Sequence, residues 1–280
     1  MYNKIIVNVF YFTNNKEDER IIMKEKVSKD HPILFSIMLG VILTVLVTFA
    51  SAISSILKFS NVETIMAQTG AFLVMAIIIT VYMTSNGRRL SMFGFRRVEL
   101  PKTKEVLYYI PLLVVALVIP TLGGINTDLS LKVVMSIIIF TFLVGYTEEF
   151  IFRGIIKEKL KSKGGTFYII FSSIFFGVLH MANGLNGDIF SAILQALNAF
   201  LVGIILSQLI TVVDNIIPLI AFHFMYDALA YITKDNPGNV NLEYIASGIL
   251  TVLLVSYASY LFNILKNKNF ETNKTIVTRS

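Results

Sequence analysis

LKVVMSIIIFTFLVGYTEEFIFRGIIKEKL, residues Leu131–Leu160, decides what kind of molecule this is. Lys132 and Glu148 bracket fifteen residues without a charge, and then Glu148, Glu149 and Arg153 arrive within a run that is otherwise apolar. Crossing ~30 Å of hydrocarbon takes ~20 apolar residues. The stretch reads as one long helix, apolar in its first half and charged and amphipathic in its second, where it emerges from a membrane. Gly164–Gly165 ends it.

Seven further apolar segments flank this one, at Ile33–Leu57, Ile65–Met83, Val106–Leu122, Thr166–Met181, Ile189–Val213, Ile216–Ile232 and Tyr244–Leu265. Lipid-exposed backbone must satisfy its own hydrogen bonds, so each is read as a helix. Composition agrees: 55% of the 280 residues are hydrophobic, 15% are charged, and the mean hydropathy is +0.72. Soluble domains carry nearer ~25% charged residues. The fold class expected is all-α, a polytopic membrane protein with about eight transmembrane helices.

Lysine and arginine set the expected orientation. They gather in the N-terminal arm (Lys16, Arg20, Lys24, Lys26, Lys29), the second-to-third loop (Arg88, Arg89, Arg96, Arg97, Lys102, Lys104), the region after the fourth segment (Lys157, Lys159, Lys161, Lys163) and the tail (Lys266, Lys268, Lys274, Arg279). The alternate connections hold only Lys58, Lys132 and Lys234. The pattern predicts a multi-pass protein of the cell membrane with both termini cytoplasmic. One membrane domain is expected over 33–265, with its motif-bearing core at 131–232, a cytoplasmic arm at 1–32 and a short cytoplasmic tail at 266–280. The net charge of +6 is explained by these loops and by anionic lipid, not by nucleic acid. Cysteine is absent, which excludes disulfides and thiolate catalysis. No cleavable signal peptide is evident, and Met23 is an alternative start to Met1.

An ionisable side chain inside a bilayer costs at least ~2.5–3.5 kcal/mol and marks a functional candidate. Those present are Glu148, Glu149 and Arg153 in the fourth segment, His180 near the end of the fifth, and His223 and Asp227 in the seventh. At a rise of ~1.5 Å per residue, the three segments bring these groups to overlapping depths. Glu149 and Arg153, four apart, share a helix face and can pair; Glu148 is rotated ~100° and can point elsewhere. His223 and Asp227 are also four apart, so the carboxylate can orient the imidazole. Phe176 lies one turn before His180 and would wall the same pocket.

Such a set can drive water onto an amide. A carboxylate held out of bulk water can serve as general base, and Glu148 is the candidate. His180 would share or position the water, or bind a metal. His223 with Asp227 would stabilise the oxyanion or protonate the leaving nitrogen. Arg153 would neutralise Glu149. The chain has no HExxH, yet Glu148, His180, His223 and Asp227 could ligate a divalent metal such as zinc; glutamate-activated water is the preferred reading.

Glu148-Glu149-Phe150-Ile151-Phe152-Arg153 resembles the EExxxR motif of the CPBP family, which groups CaaX prenyl endopeptidases with bacterial relatives linked to bacteriocin processing and immunity. Phe176 and His180 match its FxxxH motif, and His223 with Asp227 matches its third motif, where the eukaryotic prenyl peptidases carry asparagine at the last position. The order and spacing resemble the family over roughly Leu131–Ile232. The resemblance implies an eight-span intramembrane endopeptidase with a cavity open to the cytoplasm. It further implies catalytic roles for Glu148, His180, His223 and Asp227, supported by Glu149 and Arg153.

The partners expected are a peptide or membrane-protein substrate and the lipid bilayer. Two other functions compete: a non-enzymatic bacteriocin self-immunity or scaffold protein, and a proton-relaying transporter. The transporter reading lacks the internal repeats that such folds show. His31 reads as a boundary residue, the Arg88–Arg89 and Arg96–Arg97 pairs as topology signals and lipid contacts, and Asn198 as an interhelical hydrogen bond.

Overall fold

A computed structural model describes residues 31–97, 106–182, 189–234 and 240–277. Residues 1–30 of the arm, including Met23, and Lys102, Lys104 and Arg279 lie outside them. The described residues form helices and no strand, as expected.

Eight principal helices follow the apolar segments: α1 Pro32–Ile56, α2 Asn61–Thr84, α3 Ile110–Gly123, α4 Leu131–Lys163, α5 Gly165–His180, α6 Ile189–Val212, α7 Ile217–Tyr231 and α8 Val240–Val277. Five contain stretches long and apolar enough to cross a membrane alone, namely α1, α2, α4, α6 and α8; α3, α5 and α7 are shorter apolar helices. The chain is a multi-pass membrane protein. Its outer face agrees, for on α1 the side chains of Leu34, Met38, Val41, Val45 and Phe49 recur every three or four residues and are all exposed. An apolar stripe of that length suits lipid and not water.

Local chemistry sets the helix ends. Ser60 and Glu63 form a capping box at the start of α2, the Ser60 N–H donating to Glu63 Oε2 at 2.8 Å. Ser130 caps α4 by accepting from the Val133 N–H. Gly164, at φ 90°, takes a conformation closed to most side chains and separates α4 from α5. Beyond Leu265, where the eighth segment was expected to end, α8 continues to Val277, because 266–277 contain neither proline nor glycine to stop a helix.

Neighbouring helices close a ring in the order α1, α2, α4, α7, α3, α8, α6, α5 and back to α1. A short antiparallel bridge, Ile125 to Thr233, ties the turn after α3 to the end of α7. At the opposite end, Asp214 receives Arg96 (Nη2–Oδ2 2.5 Å) and Lys157. Arg88 donates to the Tyr82 carbonyl at 2.7 Å and lies over the Tyr82 ring. Two of the arginines read as lipid contacts are therefore occupied within the protein.

The second half of α4 departs from expectation. Before the exposed, lysine-bearing end at Lys161–Lys163, residues Phe150–Ile155 form a π-helical stretch in which all six residues are buried. The reason is enclosure: α1, α2, α6 and the 3-10 turn Leu90–Phe93 surround this stretch. Gly154 permits the turn's approach, since a Cβ there would sit 3.3 Å from the Phe93 carbonyl oxygen.

Candidate active site

Three helices supply the site. Thr147, Glu149 and Phe150–Ile155 are buried among the packed helices, whereas Glu148, one residue earlier than Glu149, faces a cavity of about 230 Å³. His180 lies at the very end of α5, and His223 and Asp227 lie one turn apart on α7. Glu148, His180, His223 and Asp227 all line that one cavity, with Phe152 and Phe176. The predicted set thus converges.

Close approach of α4 and α7 makes this possible. A Cβ on Gly145 would stand 2.9 Å from the Phe224 nitrogen and 3.2 Å from the Ile220 carbonyl oxygen, so a larger residue would push the two backbones apart. α5 and α6 meet similarly at Gly177, where a Cβ would be 2.9 Å from the Ala196 carbonyl oxygen. Asn198 bridges α6 to α8 as expected, donating to Ser247 Oγ at 3.0 Å.

The buried charges form one cluster. Arg153 Nη1 donates to Glu149 Oε1 at 3.0 Å, with both side chains fully buried. The guanidinium also sits 4.5 Å from the centre of the Phe176 ring, a cation–π contact. The same Glu149 Oε1 lies 2.8 Å from His223 Nδ1. A carboxylate can only accept, so Nδ1 carries the proton there and Nε2 faces the other side. His223 Nε2 is 3.7 Å from Glu148 Oε2 and 3.5 Å from Asp227 Oδ2. Both separations allow charge attraction but are long for a direct hydrogen bond. Glu148 Oε2 is buried and has no hydrogen-bond partner among the described residues.

His180 is set differently. Its Nδ1 lies 2.8 Å from the Phe176 carbonyl oxygen, which again can only accept, so Nδ1 holds a proton and Nε2 is the other ring nitrogen available to chemistry. Its ring stands 4.5 Å from that of Phe176 and 59° from parallel to it. Phe176 is thus common ground for both histidines and Arg153.

Among the described residues, no three His, Asp or Glu side chains are grouped so as to hold a metal ion. Glu148, His180, His223 and Asp227 share one cavity, and the Nδ1 contacts of both histidines leave Nε2 as the nitrogen each can offer to it.

Sequence reasoning paired Glu149 with Arg153 but missed its contact with His223, 74 positions away. It also missed Tyr168, whose hydroxyl donates to the Phe152 carbonyl within the π-helical stretch at 3.2 Å. A buried tyrosine hydroxyl needs a partner, and that was the available signal.

Comparison with known proteins bears on this cluster. The family described as type II CAAX prenyl endopeptidase Rce1-like matches residues 130–229. This part of the chain is similar to that family. The Rce1-like segment is just over a third of the sequence and contains all six predicted site residues. The family is one of proteases, in agreement with the resemblance read from the motifs. No curated protein and no solved structure gives a significant match.

Proposed function

We propose that this protein is an intramembrane endopeptidase in which Glu148 activates the attacking water. The observation that carries the reading is the Glu148 Oε2 atom, buried on the cavity wall without a hydrogen-bond partner, 3.7 Å from His223 Nε2. An unpaired buried carboxylate oxygen is costly unless it serves a ligand. A gap of that width between two polar atoms suits a bridging water.

Glu148 takes a proton from the water as its oxygen attacks the peptide carbonyl. His180 offers its Nε2 lone pair to the other water proton and orients the attack. His223, fixed at Nδ1 by Glu149, uses a proton at Nε2 to stabilise the oxyanion and passes it to the leaving nitrogen as the C–N bond breaks; the proton held by Glu148 then returns to His223 Nε2. Asp227 holds that side of the ring. Glu149 and Arg153 are positioning residues, one ion pair that anchors the imidazole. The substrate is a peptide or membrane-associated protein.

The orientation proposed places both termini in the cytoplasm, on the strength of the alternating lysine and arginine content of the loops. The membrane domain proposed spans 33–265, with its chemical core at 131–232.

The deciding experiment compares membrane proteomes of cells carrying wild-type or Glu148→Gln protein. New peptide termini should appear only with the wild type. Equal termini in both, with the variant folded and expressed, would remove Glu148 from the chemistry. Cell protection by Glu148→Gln at wild-type strength would instead favour a non-enzymatic immunity protein.

A further inference from the structure

Four residues of α5 recur at every fourth position: Tyr168, Ser172, Phe176 and His180. Residues so spaced form a packing ridge along a helix. At one end of this ridge His180 lines the cavity. Next to it, the Phe176 ring stands 4.9 Å from that of Phe152 and carries the Arg153 guanidinium. At the other end Tyr168 Oη and Ser172 Oγ both donate to the Phe152 carbonyl oxygen, at 3.2 Å and 3.5 Å. Three of the four ridge members thus meet Phe152 or Arg153, inside the π-helical stretch of α4.

In that stretch the Ile156 N–H reaches back five residues, to the Ile151 carbonyl. A π turn is wider than an α turn and holds its carbonyls out of line with the α ladder, so a buried one gains from a donor off its own helix. Ser173 shows the ordinary alternative, its hydroxyl bonding the Ile169 carbonyl on its own helix at 2.6 Å. Tyr168 and Ser172, both buried, instead reach across to one atom on α4. The residue after that atom is Arg153. Among the described residues its guanidinium has one hydrogen bond, from Nη1 to Glu149, and none from Nε or Nη2. With so few side-chain ties, the course of the backbone through Phe152 decides where the guanidinium stands.

We propose that Tyr168, assisted by Ser172, is a positioning residue of the catalytic site, acting by pinning the Phe152 carbonyl and so the place of Arg153. This rests on the protease reading above. Arg153 holds Glu149, Glu149 holds His223 Nδ1, and His223 faces Glu148. A hydroxyl on α5 thereby governs the reacting groups without touching substrate. The same ridge ends in His180, so tying α5 to α4 also fixes how Glu148 and His180 stand across their shared cavity.

Tyr168→Phe removes the hydroxyl and keeps the ring in the core. On a peptide spanning a cleavage site found in the membrane proteomes, its kcat should fall about tenfold, the worth of one hydrogen bond, with KM unchanged. Ser172→Ala, which loses the longer contact, should fall less, and Ser173→Ala should cleave as the wild type does. A fall in Ser173→Ala as large as that in Tyr168→Phe would make the effect one of general packing and overturn the inference. In a double-mutant cycle, Tyr168→Phe should add little to the loss caused by Arg153→Lys, because both act through one guanidinium. Losses that multiply, or an unchanged kcat in Tyr168→Phe, overturn it. The same cycle read by thermal unfolding in detergent needs no cleavage: shifts in Tm that fail to add support the proposal, and additive shifts overturn it. Glu148→Gln tests the protease reading by its own readout of peptide termini, so the two failures are told apart.

Discussion

His223 Nδ1 lies 2.8 Å from Glu149 Oε1, the oxygen that also accepts from Arg153 Nη1 at 3.0 Å. One carboxylate oxygen therefore ties the charge within α4 to the imidazole on α7. The two adjacent glutamates divide the work: Glu149 is fully buried and bonded twice, while Glu148 faces the cavity with an unbonded oxygen.

That division predicts opposite behaviour on substitution. Glu149→Ala strands the Arg153 guanidinium without its counter-charge, and breaking a buried pair costs about 3–5 kcal/mol. Thermal unfolding in detergent should show that loss together with loss of cleavage. Glu148→Gln should unfold close to the wild type and still cleave nothing. Equal destabilisation by the two would contradict the assignment.

Arg153→Lys keeps the charge but loses the flat guanidinium over Phe176, 4.5 Å from the ring centre. The cation–π contact in a desolvated setting is worth about 2 kcal/mol. Unfolding should report a loss of that order, with cleavage reduced and not restored by raising substrate concentration.

Asp227 lines the cavity and lies on the Nε2 side of His223, at 3.5 Å. Asp227→Asn retains an oxygen there, so cleavage should fall by no more than about tenfold, roughly the worth of one hydrogen bond. Asp227→Ala should fall much further. If both variants were equally inactive in single-turnover cleavage, the negative charge itself would be required.

Gly145→Ala places a methyl 2.9 Å from the Phe224 nitrogen and forces α4 from α7. Overpacking of this kind costs about 1–3 kcal/mol, and the separation of Glu148 from His223 should lower kcat more than it raises KM. Gly70→Ala is the control. A Cβ there meets nothing within 4 Å, and alanine favours a helix interior by up to about 1 kcal/mol, so stability and cleavage should hold or improve.

Much of the fold was legible in the chain. The apolar segments became helices at nearly the expected limits because hydropathy and helix-stopping residues such as Gly164 act locally. The pairing of Glu149 with Arg153 followed from a spacing of four, which any helix turns into contact. Asn198 found its interhelical partner. The π-helical stretch at Phe150–Ile155 was not legible. Its burial comes from enclosure by α1, α2, α6 and the turn at Leu90–Phe93, and no local period records that.

The sequence alone determined the solvent this protein lives in, its helical build and the small set of polar groups worth suspecting, because transfer into lipid penalises each residue by its own chemistry. Tertiary structure decided which of those groups touch: that His223 rests on Glu149 and that both histidines and Arg153 share Phe176. These depend on how helices distant in sequence approach and rotate against one another, through close contacts such as that at Gly145, and neither hydropathy nor spacing along one helix carries that information.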